Sequence, residues 1–156
     1  MPDHAHQRIL EAVQAALVAA ATAAGSRVYL DRVDEIPADN LPAIDILGAD
    51  DTAEDTIEHL TIGFPPLQQH AYSFGIRAVC AQATGAAKAA RNLAGQVEAV
   101  LLAASNTIAV GAAPILVLLA GSSEVKDGEG AAQLFVVRQQ WQAQYQTQGG
   151  TPGVPL

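Results

Sequence analysis

From Tyr72 to Cys80 the chain alternates with a period of two: Tyr72, Phe74, Ile76, Ala78 and Cys80 fall on one side, Ser73, Gly75 and Arg77 on the other. Only an extended strand sends successive side chains to opposite faces, so this stretch requires a sheet with one apolar face that something must cover. The chain supplies two covers. One is a helix predicted over Asp3 to Ala24, where Ile9, Leu10, Val13, Ala16, Leu17 and Ala20 recur at the spacing of one helical face, with Asp3 as N-cap and Gly25 as stop. The other runs from a Thr84 cap to about Ala104 and buries Ala87, Ala90, Leu93, Ala94, Val97, Leu101 and Ala104. Two amphipathic helices over one mostly antiparallel sheet make an α+β fold.

The remaining segments supply the other strands. Val28 to Leu30 and Ala43 to Leu47 read as short strands, separated by a loop in which Pro37 and Pro42 fix φ and cannot donate to a ladder. The acidic cluster Asp50, Asp51, Glu54, Asp55 and Glu58 is too charged for a core without partners and reads as a turn or an exposed strand end. Leu60, Ile62 and Phe64 follow, and Pro65 and Pro66 mark a bend or edge before the long strand. Ile115 to Leu119 and Ala132 to Tyr145 form a C-terminal β-hairpin reversed by Lys126, Asp127, Gly128, Glu129 and Gly130. Past Trp141 the last strand turns Gln-rich and is expected to lose its apolar face. From Gly149 the sequence GGTPGVPL is too rich in Gly and Pro to hold regular structure alone. One domain over 1–148 with a flexible tail over 149–156 is the expected organisation.

Composition removes several function classes. Sixteen acidic against eight basic residues give a charge of −8, which repels phosphate backbones rather than neutralising them. Half the residues are apolar, but Ala dominates them and aromatics are only 4%, so the core is thin for its length and gains from partner chains that cover more apolar surface. A lone Cys80 in a strand pattern reads as a small buried hydrophobe in a reducing compartment. No run reaches the ~20 apolar residues of a membrane span, and the N-terminus lacks the pattern of a secretory signal, so a soluble protein assembled in the cytoplasm is expected.

Catalytic and metal-binding patterns give little. His4, His6, His59, His70 and Cys80 do not have the spacing of a structural zinc site, and the acidic cluster lacks the alternating oxygen ligands and central Gly of a calcium loop. No nucleophile elbow and no phosphate-cradling Gly motif occurs, and Cys80 has no base near it in sequence. No enzyme, no metal and no cofactor is expected.

The order of segments carries one resemblance. HAHQRILEAVQAAL, RVYLDRVDEIPADNLPAIDI, DDTAED, YSFGIRAVCAQ, TGAAKAARNLAGQVEAVLLA and the Gln-rich closing strand together resemble the tail terminator proteins of long-tailed bacteriophages, the minor tail protein U type. The resemblance covers nearly the whole chain apart from TPGVPL. It implies a structural virion protein that forms a hexameric ring at the head-proximal end of the tail tube. Such a ring stops tube growth and offers the surface that head completion or connector proteins join. A second ring-forming head-to-tail connector protein is the alternative, and a small-ligand binding module a more distant one.

Residues are assigned to that role on physical grounds. Double-stranded DNA must pass the ring without sticking, which places some of Asp50, Asp51, Glu54, Asp55 and Glu58 at the lumen or the axial surface. Ring closure needs one subunit surface to meet a different one on the next copy. Its candidates are Arg32, Asp34 and Glu35 of the Pro-marked loop, and Arg138, Gln140, Trp141 and Tyr145 of the last strand, since Trp, Tyr and Arg most often anchor interfaces. Trp141 serves equally well as a core residue.

Overall fold

Strand β4 (Leu67–Ala81) runs through the centre of the molecule, and its two edges organise the rest. The computed structural model describes residues 4–48, 53–60, 65–81, 85–105, 107–109, 115–127 and 134–148. On one edge, β6 (Leu134–Gln148) pairs antiparallel with β4 along its whole length, from Leu67↔Gln148 to Ala81↔Leu134. β5 (Leu116–Asp127) pairs antiparallel with the far edge of β6, with a register shift between Leu119 and Gly121. The other edge of β4 is shared end to end by β2 (Ala43–Leu47), opposite Gly75–Val79, and β3 (Glu54–His59), opposite Gln68–Ser73. β1 (Val28–Leu30) lies beyond β2 and parallel to it.

That one parallel pair explains the Pro-marked loop. Parallel neighbours cannot be joined by a tight hairpin, so the chain must cross from the end of one strand back to the start of the next. The crossing includes a short 3₁₀ turn (Ala38–Asn40), and it carries Arg32 and Val33 to the same cleft as Arg77 of β4.

Helices α1 (Ala5–Ala19) and α2 (Ala86–Ala104) both add their apolar stripes to one core. Ile9, Leu10, Val13 and Leu17 of the first, and Ala90, Leu93, Val97 and Leu101 of the second, are buried with Phe74, Ile76, Val117 and Trp141 of the sheet. Phe74 faces Trp141 across the β4–β6 ladder, and both are fully buried. Removing such side chains from water supplies the main driving force for docking the helices. No described helix is long and apolar enough to cross a membrane, which leaves β-barrels unaddressed.

Five local expectations need correction. The first helix ends at Ala19 rather than Ala24, because Ala21 takes a left-handed φ of 49° that breaks the helix, and Gly25 serves the following turn instead. The N-caps are His4, whose ring accepts from His6 N–H, and Gly85, whose left-handed φ of 89° starts the second helix without a side-chain cap, rather than Asp3 and Thr84, which lie outside the described residues. The acidic segment 54–59 is a ladder-forming strand in its own right. The last strand keeps its inward face: Trp141, Ala143, Tyr145 and Thr147 point to the core and the glutamines from Gln140 onward point away. β5 is longer than its apolar run because Gly121 to Asp127 continues the ladder past the register shift.

Candidate interaction surface

The helices cover one face of the sheet, so the odd-numbered residues of β4 and the even-numbered residues of β6 face away from them. At one end of this helix-free face a row crosses four strands: Asp45 beside Arg77, Arg77 beside Arg138, Arg138 beside Ser123. Along β6 the same face continues as Gln140, Gln142, Gln144, Gln146 and Gln148. Gln144 Nε2 donates to Gln142 Oε1 at 3.2 Å, and Gln146 Nε2 donates to Gln69 Oε1 at 3.1 Å. On the β3 side of the same face stand Glu54, midway along β4 opposite Ser73, and Glu58, toward the other end opposite Gln69, both exposed. From Arg77 to Gln69 along β4 is roughly 27 Å at strand rise. The face is therefore cationic at one end, and away from it carries glutamates on β3 side by side with the glutamines of β6. Leu116 and Leu118, 39% and 38% exposed, border the glutamines.

The cationic end is a cleft of about 800 Å³ whose polar lining is Arg32, Arg77, Ser122, Ser123, Arg138, Gln139 and Gln140. Three of the chain's eight basic residues meet here, and no carboxylate lines it among the described residues. Arg77 donates to Oδ2 of Asp45, which has no exposed surface. Burial holds the Asp45 carboxyl above its ordinary pKa although Arg77 pulls it down. Asp45 Oδ1 and Arg77 Nε have no hydrogen-bond partner. Arg32 Nε donates to the Asp34 carbonyl at 3.1 Å, and its guanidinium lies 4.7 Å from the Tyr29 ring centre. These contacts orient Arg32 without neutralising it.

A second polar cluster is buried beneath α1. Asp55 Oδ2 lies 3.0 Å from His6 Nε2 and 2.9 Å from His70 Nδ1, and His70 Nε2 lies 2.8 Å from Thr147 Oγ1. The His6 ring stacks on Tyr72 at 4.0 Å, and His70 on Tyr145 at 4.7 Å. Hydroxyl, imidazole and carboxylate follow one another in the order of a nucleophilic triad. Thr147, however, is fully buried, so no substrate atom reaches its oxygen. The cluster ties α1, β3, β4 and β6 together. Burial lowers the His6 pKa, with Asp55 opposing, and raises that of Tyr145, with the Asp55 charge adding to the effect. No group of three potential metal ligands occurs among the described residues.

Of the expected interface residues, Arg32, Arg138 and Gln140 converge on the cleft, and Asp34 and Glu35 are exposed beside it. Trp141 and Tyr145 are not available to a partner. Both point into the core, where Trp141 Nε1 donates to Gln139 Oε1 at 3.2 Å and Gln139 Nε2 donates to the Ala94 carbonyl of α2 at 3.1 Å. Among the acidic residues, Glu54 and Glu58 are exposed on the helix-free face, Asp55 is engaged by the histidines, and Asp50 and Asp51 lie outside the described residues. Arg77 is the cleft residue that sequence reasoning did not single out. Its signal is a charged residue on the outward side of an otherwise small-residue strand face.

Comparison with known proteins gives a structural likeness. No protein-family model matches the chain, and neither does any curated protein. Among solved structures, a chain of the "Virion of native gene transfer agent (GTA) particle" superposes with a TM-score of 0.51 at 19% identity, covering 92% of each chain. The two chains share a fold over nearly their full lengths.

Proposed function

We propose that this chain is a structural virion protein, a tail terminator that forms a ring at the head-proximal end of a phage-like tail tube. The supporting observation is the fold shared end to end with a chain of a gene transfer agent virion. The helix-free face adds to it. A ring that stops tube growth must fit the tube on one side and refuse a further tube subunit on the other, work done by surfaces alone. Its partners in this reading are further copies of itself, six by the resemblance, the tube protein below and a head completion or connector protein above.

The lumen of such a ring must let duplex DNA slide. The outward glutamine row of β6, Gln140 to Gln148, suits that wall, because amides present no fixed charge to hold phosphate. In this reading the helices face outward and the helix-free face looks to the DNA. A head-side connector ring is the second reading, since it has the same surface requirements. Removing the gene from a particle-producing genome and imaging the products separates them. Tails of uncontrolled length, without heads, are expected of a terminator, whereas uniform tails left unjoined mark the connector. Uniform tails fastened to filled capsids contradict both.

A further inference from the structure

Arg77 and Arg138 are direct cross-strand neighbours on the helix-free face, and like charges placed so are destabilising. Asp45 answers one of them. Arg138 is exposed and forms no ion pair among the described residues, and the Arg32 guanidinium donates to the backbone carbonyls of Asp34 and Glu35. On a chain of charge −8 an uncompensated cationic cleft calls for carboxylates from outside. The same face holds them on β3: Glu54 and Glu58 form no ion pair among the described residues and, four residues apart on one strand face, stand about 13 Å from one another.

We infer that the arginine cleft of Arg32, Arg77 and Arg138 receives Glu54 and Glu58 of a second copy of this chain, a head-to-tail contact in which the outer edge of β3 on one copy overlaps the cleft of the next. The contact joins two different surface patches, so it repeats from copy to copy and closes wherever the rotation per step completes a circle. It deepens the ring reading and rests on it. It also removes a difficulty of that reading: open arginines on a lumen wall would hold DNA phosphates, and carboxylates from the next copy cancel them.

The test uses the full chain in sedimentation equilibrium over a range of concentration and salt. Arg77 is left intact because its loss would strand the buried Asp45. Arg32→Ala/Arg138→Ala removes one half of the contact, and Glu54→Ala/Glu58→Ala removes the other. Either variant should weaken self-association by about tenfold or more, and added salt should weaken the unaltered chain. An equimolar mixture of the two variants retains one good contact per pair, so it should form dimers and stop there. Charge exchange in one chain, Arg138→Glu with Glu58→Arg, should restore association that Arg138→Glu alone loses. Unchanged melting of each variant by circular dichroism shows that folding is not the cause. An unaltered chain that stays monomeric to millimolar concentration overturns the contact, as do variants that associate normally. So does an arginine variant whose only loss is salt-sensitive binding to duplex DNA or saturable binding of inorganic phosphate. None of these outcomes touches the ring reading, which the tail-length phenotype decides separately.

Discussion

Tyr145 brings its hydroxyl into the core, where it finds no hydrogen-bond partner among the described residues. Its ring, stacked on His70, is what packs. A buried unpartnered hydroxyl opposes folding, so Tyr145→Phe should stabilise the chain by about 1 kcal/mol, read as a melting midpoint about 2–4 °C higher. A lower midpoint would show that the hydroxyl is bonded after all. His6 makes a pH-dependent counterpart. Burial against Tyr72 lowers its pKa below the ordinary 6.5, so the folded chain takes up a proton less readily than the unfolded one. The stability tied to this ring is complete above about pH 6.5 and is lost as pH falls from there toward the lower folded-state value. Asp45 acts in the opposite sense, its raised pKa favouring the folded chain as acid is added, but it is common to both proteins in a comparison. Denaturant titrations of the natural chain and His6→Asn between about pH 7 and pH 5 should give the variant the shallower loss. An equal or steeper loss would remove His6 from the account.

Where elements meet, small residues set how closely they approach. Gly48, just after β2, has its N–H donated to Asp31 Oδ1 at 2.6 Å and its carbonyl accepting from the Tyr72 hydroxyl at 3.0 Å. A Cβ there would run into Cδ1 of Leu10, a buried contact of α1. Gly48→Ala should therefore push α1 off the sheet edge and cost about 1–3 kcal/mol in chemical denaturation. Gly95, inside α2, has nothing near its missing Cβ, and Gly95→Ala should gain about 0.5–1 kcal/mol by helix propensity alone. Equal effects from the two would show that α1 does not seat on Gly48. The elements themselves were largely legible in sequence. Pro37 and Pro42 interrupt the crossing and Pro42 stops just short of β2, so β1 and β2 were readable to the residue, and the helical stripes gave both covers. Charge and small polar residues hid β3 and the second half of β5, because there backbone pairing with β4 and β6 holds residues that carry no apolar pattern. The candidate surface was only half legible. Arg32, Arg138 and Gln140 could be picked by type, but the pairing of Arg77 with Arg138 depends on register, and the cluster of His6, Asp55, His70 and Thr147 is assembled from four distant segments. Aromatic type misled for Trp141 and Tyr145, whose inward phase on β6 outweighs any preference of such residues for interfaces.

Across the whole molecule the charge is distributed unevenly, and the distribution has a consequence that net charge alone reverses. A chain at −8 should avoid DNA, yet three guanidiniums sit together on one face with a single buried carboxylate among them. Counterion release depends on the local cluster and not on the sum, so an open cleft attracts phosphate at low salt while the rest of the surface repels it. In the head-to-tail assembly each cleft is occupied by the next copy's glutamates, and the attraction disappears. Glu54→Ala/Glu58→Ala should then have two linked effects: it leaves the clefts uncovered and takes two repelling charges from the same face. At low ionic strength this variant should be retained on immobilised duplex DNA more strongly than the natural assembly, with the difference vanishing at high salt. The comparison that isolates the cleft adds Arg32→Ala/Arg138→Ala to the same chain, since β3 is then equally bare of glutamates but the guanidiniums are reduced to Arg77, already paired with Asp45. Retention that falls back to the natural level in the combined variant assigns the effect to the arginines. Retention that persists there would mean that the lost carboxylates alone decide how DNA meets this surface, and that the neighbour's glutamates do not shield the cleft.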